Sequence, residues 1–245
     1  MDSVYYIELT PEAFRERIAC APIAYLPLGT LEWHGEHLPL GSDGLQSSGF
    51  FARLANEVGG IVLPMLFLGP DLRWEREGRP YYGMDYYAAP GEETLQLTGS
   101  AYWVDDGFFE ALLENVMRQL QRAGFRIVVA HGHGPSTQAF VGKTDDWEAM
   151  GLKTFICWRG NEDDGLGLQT DHAAANETSL MMALHPELVC MEQLDPAPEV
   201  EPLGLMGDDP RFHASPEKGR EALDTVAAYM RPLLEAALAD VRRQG

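Results

Sequence analysis

Residues 26–43, with the sequence LPLGTLEWHGEHLPLGSD, concentrate side chains that bind metals or transfer protons. Glu32 and His34 are two positions apart, so in an extended backbone both side chains project from the same face. Asp43 returns after a loop bent by glycine and proline. An imidazole and two carboxylates directed at one point are suitable ligands for a divalent metal ion. The alternative is a set of hydrogen-bonded loop histidines and a solvated acid at a strand end. We favour the metal site because similar residues recur downstream.

Two later segments supply further candidate ligands. Residues 128–134, VVAHGHG, place a histidine after an apolar run, and residues 171–179, DHAAANETS, add an acid. Two divalent ions bring four positive charges, and a bridging hydroxide beside three carboxylates would neutralise them, as a partly buried site favours. Five protein ligands are too many for one tetrahedral catalytic zinc but suit two metals that share a carboxylate. The candidate ligands are Glu32, His34, Asp43, His133 and Glu177.

Residues 32–43 (EWHGEHLPLGSD) resemble the signature of the creatininase family of metal-dependent amidohydrolases. The turn at residues 131–134 resembles that family's strand followed by Asn-Gly-His-Gly. Residues 171–179 resemble its helix start, which ends in Glu-Thr-Ser. The matches occur in the family's order and extend across most of the chain. The resemblance therefore implies a single creatininase-like domain over residues 1–245.

The resemblance also assigns roles to individual residues. Creatininases proper complete their second metal site with a glutamate two residues after the turn histidine, where this sequence has Pro135. Glu177 is the expected replacement ligand, as in relatives whose turn reads Gly-Gly-Asn, and we also count it among the catalytic residues. The family's metal ligands in the first motif, with the aspartate bridging, and in the turn correspond here to Glu32, His34, Asp43 and His133.

His172 resembles the family's active-site histidine that is not a metal ligand. An imidazole that titrates near neutrality could carry a proton to a leaving nitrogen. The alternative is that His172 only orients a ligand carboxylate. His131 stands where the family usually has asparagine, a departure that would reshape the pocket. His37 we interpret as a supporting or structural residue.

The resemblance implies a metal-dependent hydrolase that acts on carbon–nitrogen bonds other than peptide bonds. Its cofactors would be two divalent metal ions, zinc or manganese, with iron as a further choice. A metal-bridging hydroxide would attack a small cyclic amide, a formamide or a similar polar metabolite. The alternatives are a cyclic keto-inositol, a peptide-type bond, or a non-catalytic metal-dependent binding protein. Pro135 and the absence of tryptophan from residues 159–170 argue against creatinine as the substrate.

The order of apolar segments predicts the elements that position these residues. Strands and helices alternate, which is typical of βαβ units and a parallel sheet. We therefore expect an α/β fold of three layers, α/β/α, with a mostly parallel sheet and ligands at the carboxyl ends of its strands. Residues 69–100 are polar, aromatic and rich in glycine and proline, and we expect them to cover the site or contact a neighbouring subunit. Buried strands are predicted at residues 23–28, 61–68, 125–130 and 154–158, and helices at residues 10–18, 45–58, 108–123, 137–149, 176–184 and 216–243.

Composition narrows the choice of partners. The formal net charge of −20 argues against nucleic acid and anionic membranes, and leaves a small-molecule substrate. The three cysteines are widely separated, as in proteins of a reducing compartment. The N-terminus has no basic and apolar leader, and no run reaches transmembrane length. We expect a cytoplasmic protein, and family resemblance implies a homo-oligomer, commonly a hexamer.

Overall fold

The computed structural model describes residues 3–87, 97–160, 162 and 164–244. Within these residues, four parallel strands form the central sheet in the order β2-β1-β5-β6, and an antiparallel hairpin, β3-β4, lies apart from it. The strands are β1 (Ile23–Leu28), β2 (Ile61–Val62), β3 (Arg73–Arg76), β4 (Arg79–Tyr82), β5 (Ile127–Gly132) and β6 (Lys153–Phe155).

Helices connect and cover the strands. Thr10 accepts a hydrogen bond from the amide of Ala13 at 3.3 Å and caps the first helix, as its type and position predict. Gly124, with a left-handed φ of 103°, ends the third helix. The helices are α1 (Pro11–Cys20), α2 (Ser42–Glu57), α3 (Asp106–Ala123), α4 (Gly134–Val141), α5 (Thr144–Ala149), α6 (Ala175–Leu184), α7 (Pro210–His213) and α8 (Pro216–Gln244).

Both faces of the sheet are covered by apolar side chains. Successive residues of a strand point to opposite sides, so each strand contributes to a cluster on either face. Ile23 and Tyr25 of β1 face one apolar cluster, which contains residues of α2, α6 and α8. Ala24 and Leu26 face a second cluster, built with α3, α4 and α5. The predicted three-layer α/β/α fold with a parallel sheet is confirmed.

The strand order creates a crevice between β1 and β5. From β1 the chain proceeds to β2 on one side, while β5 and β6 lie on the other, so the sheet reverses its order of connection at this pair. Open α/β sheets bind their ligands beyond the carboxyl ends of the strands at such a point. Gly132 allows β5 to approach β1 closely at this point. Its φ is 151°, and a Cβ at this position would collide with the carbonyl of Leu28.

Three predicted elements differ from the structure. The strand predicted at residues 154–158 pairs only at Lys153–Phe155. The strand predicted at residues 61–68 pairs only at Ile61–Val62, because Pro64 has no amide to donate, although Leu66 forms an isolated bridge with Leu28. The helix predicted at residues 137–149 is two helices, since α4 ends at Val141 and α5 begins at Thr144.

Residues 69–100 are only partly irregular. They contain the β3-β4 hairpin and a 3₁₀ turn at Gly83–Tyr87, while residues 88–96 lie outside the described part of the chain. Cys20, Cys157 and Cys190 are all free. Among the described residues, every helix is too short or too polar to cross a membrane.

Candidate metal centre

The five residues that the sequence predicted as ligands converge at the crevice between β1 and β5. Three helix N-termini meet there, and the positive end of a helix dipole favours a nearby carboxylate. All five residues are at most 4% exposed. Glu32 and His34 follow β1, Asp43 lies in the first turn of α2, His133 precedes α4, and Glu177 lies in the first turn of α6.

Distances divide the five residues into two triads that share Asp43. In the first triad, Nδ1 of His133 lies 3.0 Å from Oε1 of Glu32 and 3.3 Å from Oδ2 of Asp43. In the second, Nε2 of His34 lies 3.4 Å from Oδ1 of Asp43 and 3.6 Å from Oε2 of Glu177. The ligand atoms within each triad are close enough to hold one metal ion. Asp43 therefore presents a different oxygen to each triad.

Backbone carbonyls fix which nitrogen of each histidine faces the carboxylates. Nδ1 of His34 donates to the carbonyl of Glu32 at 3.2 Å, and Nε2 of His133 donates to the carbonyl of Pro70 at 3.1 Å. A carbonyl only accepts, so each bond places the proton on that nitrogen and leaves the other free to bind a cation. Metal-binding histidines are commonly oriented in this way.

The donor atoms fit a cation better than they fit one another. Oε2 of Glu32 is buried and has no hydrogen-bond partner among the described residues. Nε2 of His34 has carboxylate oxygens around it, but none in a well-formed hydrogen bond. Buried carboxylates that face one another are costly unless positive charge lies between them. The arrangement can bind divalent ions through nitrogen and oxygen ligands.

The carboxylates strongly perturb the histidines. Burial opposes protonation of His34, but the charges of Asp43 and Glu177 outweigh it and raise its pKa from 6.5 to about 10. Burial also opposes protonation of His133, yet Glu32 and Asp43 hold its pKa well above the ordinary value. In turn, the two histidines overcome the effect of burial on Asp43 and hold its pKa well below the usual range.

We expect metal binding to release protons. In protein stripped by a chelator, His34 and His133 hold protons near pH 7.5, whereas a metal ligand must be a neutral imidazole. Zinc titration at pH 7.5 should release at least two protons per chain, because Glu177, whose pKa is also raised, can contribute a further proton, and fewer protons should be released as the pH approaches 10. Calorimetry in buffers of different ionisation enthalpy measures this number. Equal heats in all buffers would contradict it.

His172 lies against the first triad and lines the same cavity. Its Nε2 donates to the carbonyl of Trp33 at 2.8 Å, and its Nδ1 lies 4.0 Å from Oε1 of Glu32. Its ring stacks on that of His34 with 4.4 Å between centroids. Burial and the neighbouring His34 lower its pKa, so Nδ1 is an unprotonated acceptor near neutral pH. Glu32, His34 and His172 also form a group whose possible ligand atoms all lie within 4.8 Å of one another.

Gln169, which the sequence did not single out, contacts Asp43 directly. Its Nε2 donates to Oδ1 and to the backbone carbonyl of Asp43, each at 3.0 Å, and its Oε1 accepts from Ser47 at 2.9 Å. The residue is buried and has a left-handed φ of 55°, which is uncommon outside glycine. A glutamine in a loop carries no sequence signal for this role, because the contact spans 126 positions.

Removing the amide of Gln169 should weaken metal binding. Gln169→Met keeps the length of the side chain but donates nothing to Asp43, so we expect the zinc affinity to fall about 10–100-fold. Competition against a chromogenic chelator measures that affinity. Gln138→Met, at an exposed glutamine of α4, is the matched control. An unchanged affinity in Gln169→Met would show that Asp43 needs no support from this residue.

The remaining histidines and the acid before His172 do not enter the triads. His37 accepts from or donates to the hydroxyl of Thr178 at 2.8 Å, and burial lowers its pKa to about 4. His131 hydrogen-bonds the carbonyl of Leu168 at 3.2 Å and is absent from the cavity wall. Asp171 accepts from the amides of Asn176 and Glu177 in the first turn of α6, at 2.7 and 3.0 Å, which anchors the turn that carries Glu177.

The cavity in front of the triads has a volume of about 280 Å³. Residues of the excursion at 69–100 form part of its wall, among them Asp71, which the sequence did not single out. Burial raises the pKa of Asp71 to about 6, while His133 opposes the rise. Pro135, which stands where creatininases proper have a metal ligand, also lines the cavity.

A parallel α/β sheet with a buried histidine–carboxylate cluster at its crevice defines a protein of the metal-binding hydrolase class. The sequence model of the creatininase family, described as creatinine amidohydrolase, matches residues 7–234. The chain belongs to the creatininase family, whose members are metal-dependent amidohydrolases acting on carbon–nitrogen bonds other than peptide bonds. The resemblance found in the sequence is confirmed.

Individual relatives are distant but match over most of their length. Creatinine amidohydrolase of Pseudomonas putida is 26% identical over 213 residues, 78% of this chain and 76% of the relative. The mycofactocin precursor peptide peptidase of Mycobacterium ulcerans (strain Agy99) is 24% identical over 212 residues, 76% and 75% of the two chains.

Solved structures show the same fold. A structure described as creatininase Mn gives a TM-score of 0.74 at 23% identity, covering 96% of this chain and 99% of that one. A mutant creatininase of Zn-Zn type gives 0.73 at 22% identity, covering 97% and 99%.

Proposed function

We propose that this chain is a binuclear metal-dependent amidohydrolase that cleaves a carbon–nitrogen bond of a small cyclic amide, formamide or similar polar metabolite. The observation that supports this most directly is the position of Asp43, whose two oxygens face different histidines at 3.4 and 3.3 Å. Glu32 and His133 would complete one metal site, and His34 and Glu177 the other. Glu177 would thus replace the ligand missing at Pro135.

The metals fit the donor set. When bound, two divalent ions supply an acidified water and a Lewis acid for the developing oxyanion. Zinc and manganese both accept mixed imidazole and carboxylate ligands, as does iron. The relatives described as creatininase Mn and as Zn-Zn type support the first two.

His172 would carry a proton from the attacking water to the leaving nitrogen. Because Nε2 donates to the Trp33 carbonyl, Nδ1 is the nitrogen that can accept a proton from the attacking water. Its position beside Oε1 of Glu32, at 4.0 Å, keeps that nitrogen at the metal cluster. The same Nδ1–H could then protonate the leaving nitrogen, which is a poor leaving group as an anion.

The test combines metal content with turnover. Protein purified without chelator should contain about two divalent ions per chain and hydrolyse at least one member of a panel of cyclic amides, formamides and short peptide amides. The peptide is included because one relative is named a peptide peptidase. Chelation should abolish turnover, and added zinc or manganese should restore it.

His172→Gln separates catalysis from metal binding. We expect it to keep both metal ions and to lower kcat by about 10²–10⁴-fold, the usual contribution of a general acid–base group. His213→Gln, at an exposed histidine, is the matched control. Loss of metal from His172→Gln would show that His172 is a metal ligand. If the wild type contains both ions but hydrolyses no member of the panel, the alternative of a non-catalytic binding protein would be favoured.

Three expectations from the sequence stay predictions. They are a single domain over residues 1–245, a cytoplasmic location and a homo-oligomeric state, a hexamer by family resemblance.

A further inference from the structure

Asp71 is a carboxylate of the cavity wall that belongs to neither triad. Its Oδ1 accepts from the amide of Leu72 at 2.6 Å. Its Oδ2 lies 3.6 Å from Nε2 of His133, too far for a hydrogen bond, and that nitrogen already donates to the carbonyl of Pro70. The side chain is 10% exposed, and Asp71 is one of the residues that line the cavity. None of the hydrogen bonds described for this residue uses Oδ2, which therefore keeps accepting capacity at the cavity wall.

The backbone at residue 83 makes room for this carboxylate. A Cβ on Gly83 would collide with Oδ2 of Asp71, and Gly83 has a φ of 47° that side chains rarely adopt. The ring of Trp103 borders the same corner, 3.3 Å from that Cβ position. The ring also lies 5.9 Å from that of His133 between centroids. A carboxylate beside an aromatic ring is a common arrangement for binding a cation.

The charge of the cavity is not balanced by basic side chains. Among the residues that the structure describes, neither lysine nor arginine lines the cavity. Residues 1–2, 88–96, 161, 163 and 245, which lie outside the description, contain neither. If two divalent ions and a hydroxide neutralise the three carboxylates of the triads, two further carboxylates of the cavity wall remain, Asp71 and Asp171. Both oxygens of Asp171 accept from amides of α6, so Asp71 is the one with a free oxygen.

We propose that Asp71 determines substrate specificity and that the substrate carries a cationic N–H group, such as an amidinium, guanidinium or ammonium, which binds Oδ2 of Asp71. This inference rests on the proposed function, because the charge balance assumes the two bound ions. A cationic donor would satisfy an acceptor that the protein leaves open, whereas a phosphate or carboxylate in this position would be repelled. The substrate class is thus narrowed from polar amides to amides that bear a positive charge.

Two probes of equal shape test the charge preference. Benzamidinium and benzamide have the same heavy-atom framework and differ in charge. Calorimetric titration of protein purified without chelator should show benzamidinium binding at least about tenfold more tightly than benzamide. In Asp71→Asn, which keeps an acceptor for the amide of Leu72, the preference should disappear while metal content stays unchanged.

Glu77→Gln is the matched control, because Glu77 is an exposed acid of the same excursion, at the turn between β3 and β4. It should keep the preference for benzamidinium. Equal binding of both probes to the wild type, or a preference that survives in Asp71→Asn, would overturn the proposal. Weaker binding of both probes together with loss of metal would instead make Asp71 a support for His133.

The outcome is independent of the turnover test. If no panel amide is hydrolysed but Asp71→Asn still abolishes the preference, the hydrolase proposal fails and Asp71 stands as a cation-binding residue. If turnover is found and the probes bind equally, only the role of Asp71 is lost.

Discussion

Asp43→Asn is expected to reduce the metal content from about two ions per chain to one or fewer and to lower turnover at least about a thousandfold. The amide nitrogen of asparagine cannot bind a cation, so the variant can serve at most one triad. In the wild type, Oδ1 of Asp43 lies 3.4 Å from Nε2 of His34, and Oδ2 lies 3.3 Å from Nδ1 of His133. Metal analysis and steady-state kinetics on the same preparation measure both effects.

A matched control is available for this variant. Asp145 also lies in the first turn of a helix, α5, but is exposed and is not one of the residues that line the cavity. Asp145→Asn should change neither metal content nor turnover. If Asp43→Asn retains two ions, Asp43 does not bridge, and the two triads do not correspond to two metal sites.

Glu177→Gln is expected to have opposite effects on activity and on the stability of metal-stripped protein. Turnover should fall about a thousandfold, because one metal site loses its carboxylate. Stripped protein should become more stable at pH 7.5. Glu177 is 2% exposed, and burial, reinforced by Asp43 and Asp171, raises its pKa well above 4.5 despite His34.

The pH dependence distinguishes this explanation from a packing effect. The folded pKa of Glu177 exceeds its unfolded value, so the wild type loses stability as the pH rises above 4.5. The gain in Glu177→Gln should therefore be small at pH 4 and grow towards pH 7.5. Denaturant unfolding of chelated protein at both values measures it, with Glu235→Gln on the surface of α8 as control. A gain that is equal at both pH values would point to packing.

The convergence of the five candidate ligands could be predicted from the sequence where residue type and chain position coincide. Glu32 and His34 follow a strand whose apolar run is plain, and Asp43 and Glu177 occupy helix starts that the turn residues mark. Each ligand therefore has a local signal, and the parallel sheet brings the signals together at one edge. The family resemblance supplied the choice of Glu177 over the residue at Pro135.

What the sequence could not supply is set by contacts between distant segments. Gln169 supports Asp43 across 126 positions, and Asp71 reaches the cavity because Gly83 leaves space for it. The orienting groups of His34 and His133 are backbone carbonyls, which every residue has. The break between α4 and α5 depends on Trp147, whose indole donates to the carbonyl of Phe140 at 2.9 Å.

Two different parts of the chain build the wall of the cavity, and substitutions in each part should affect binding and folding differently. The candidate metal ligands come from strand ends and helix starts that are fixed by the sheet, where Gly132 allows β5 to approach β1 closely. Asp71 and Gly83 come from the excursion beside them, which pairs mainly with itself. Pro70 is the exception, because its carbonyl orients His133. Substitutions in the excursion beyond Pro70 are expected to alter which molecules bind while leaving the candidate metal ligands in place. Mutational libraries confined to residues 72–87 should yield variants of altered selectivity that still fold, whereas the contact of Gly132 with Leu28 should tolerate almost no substitution.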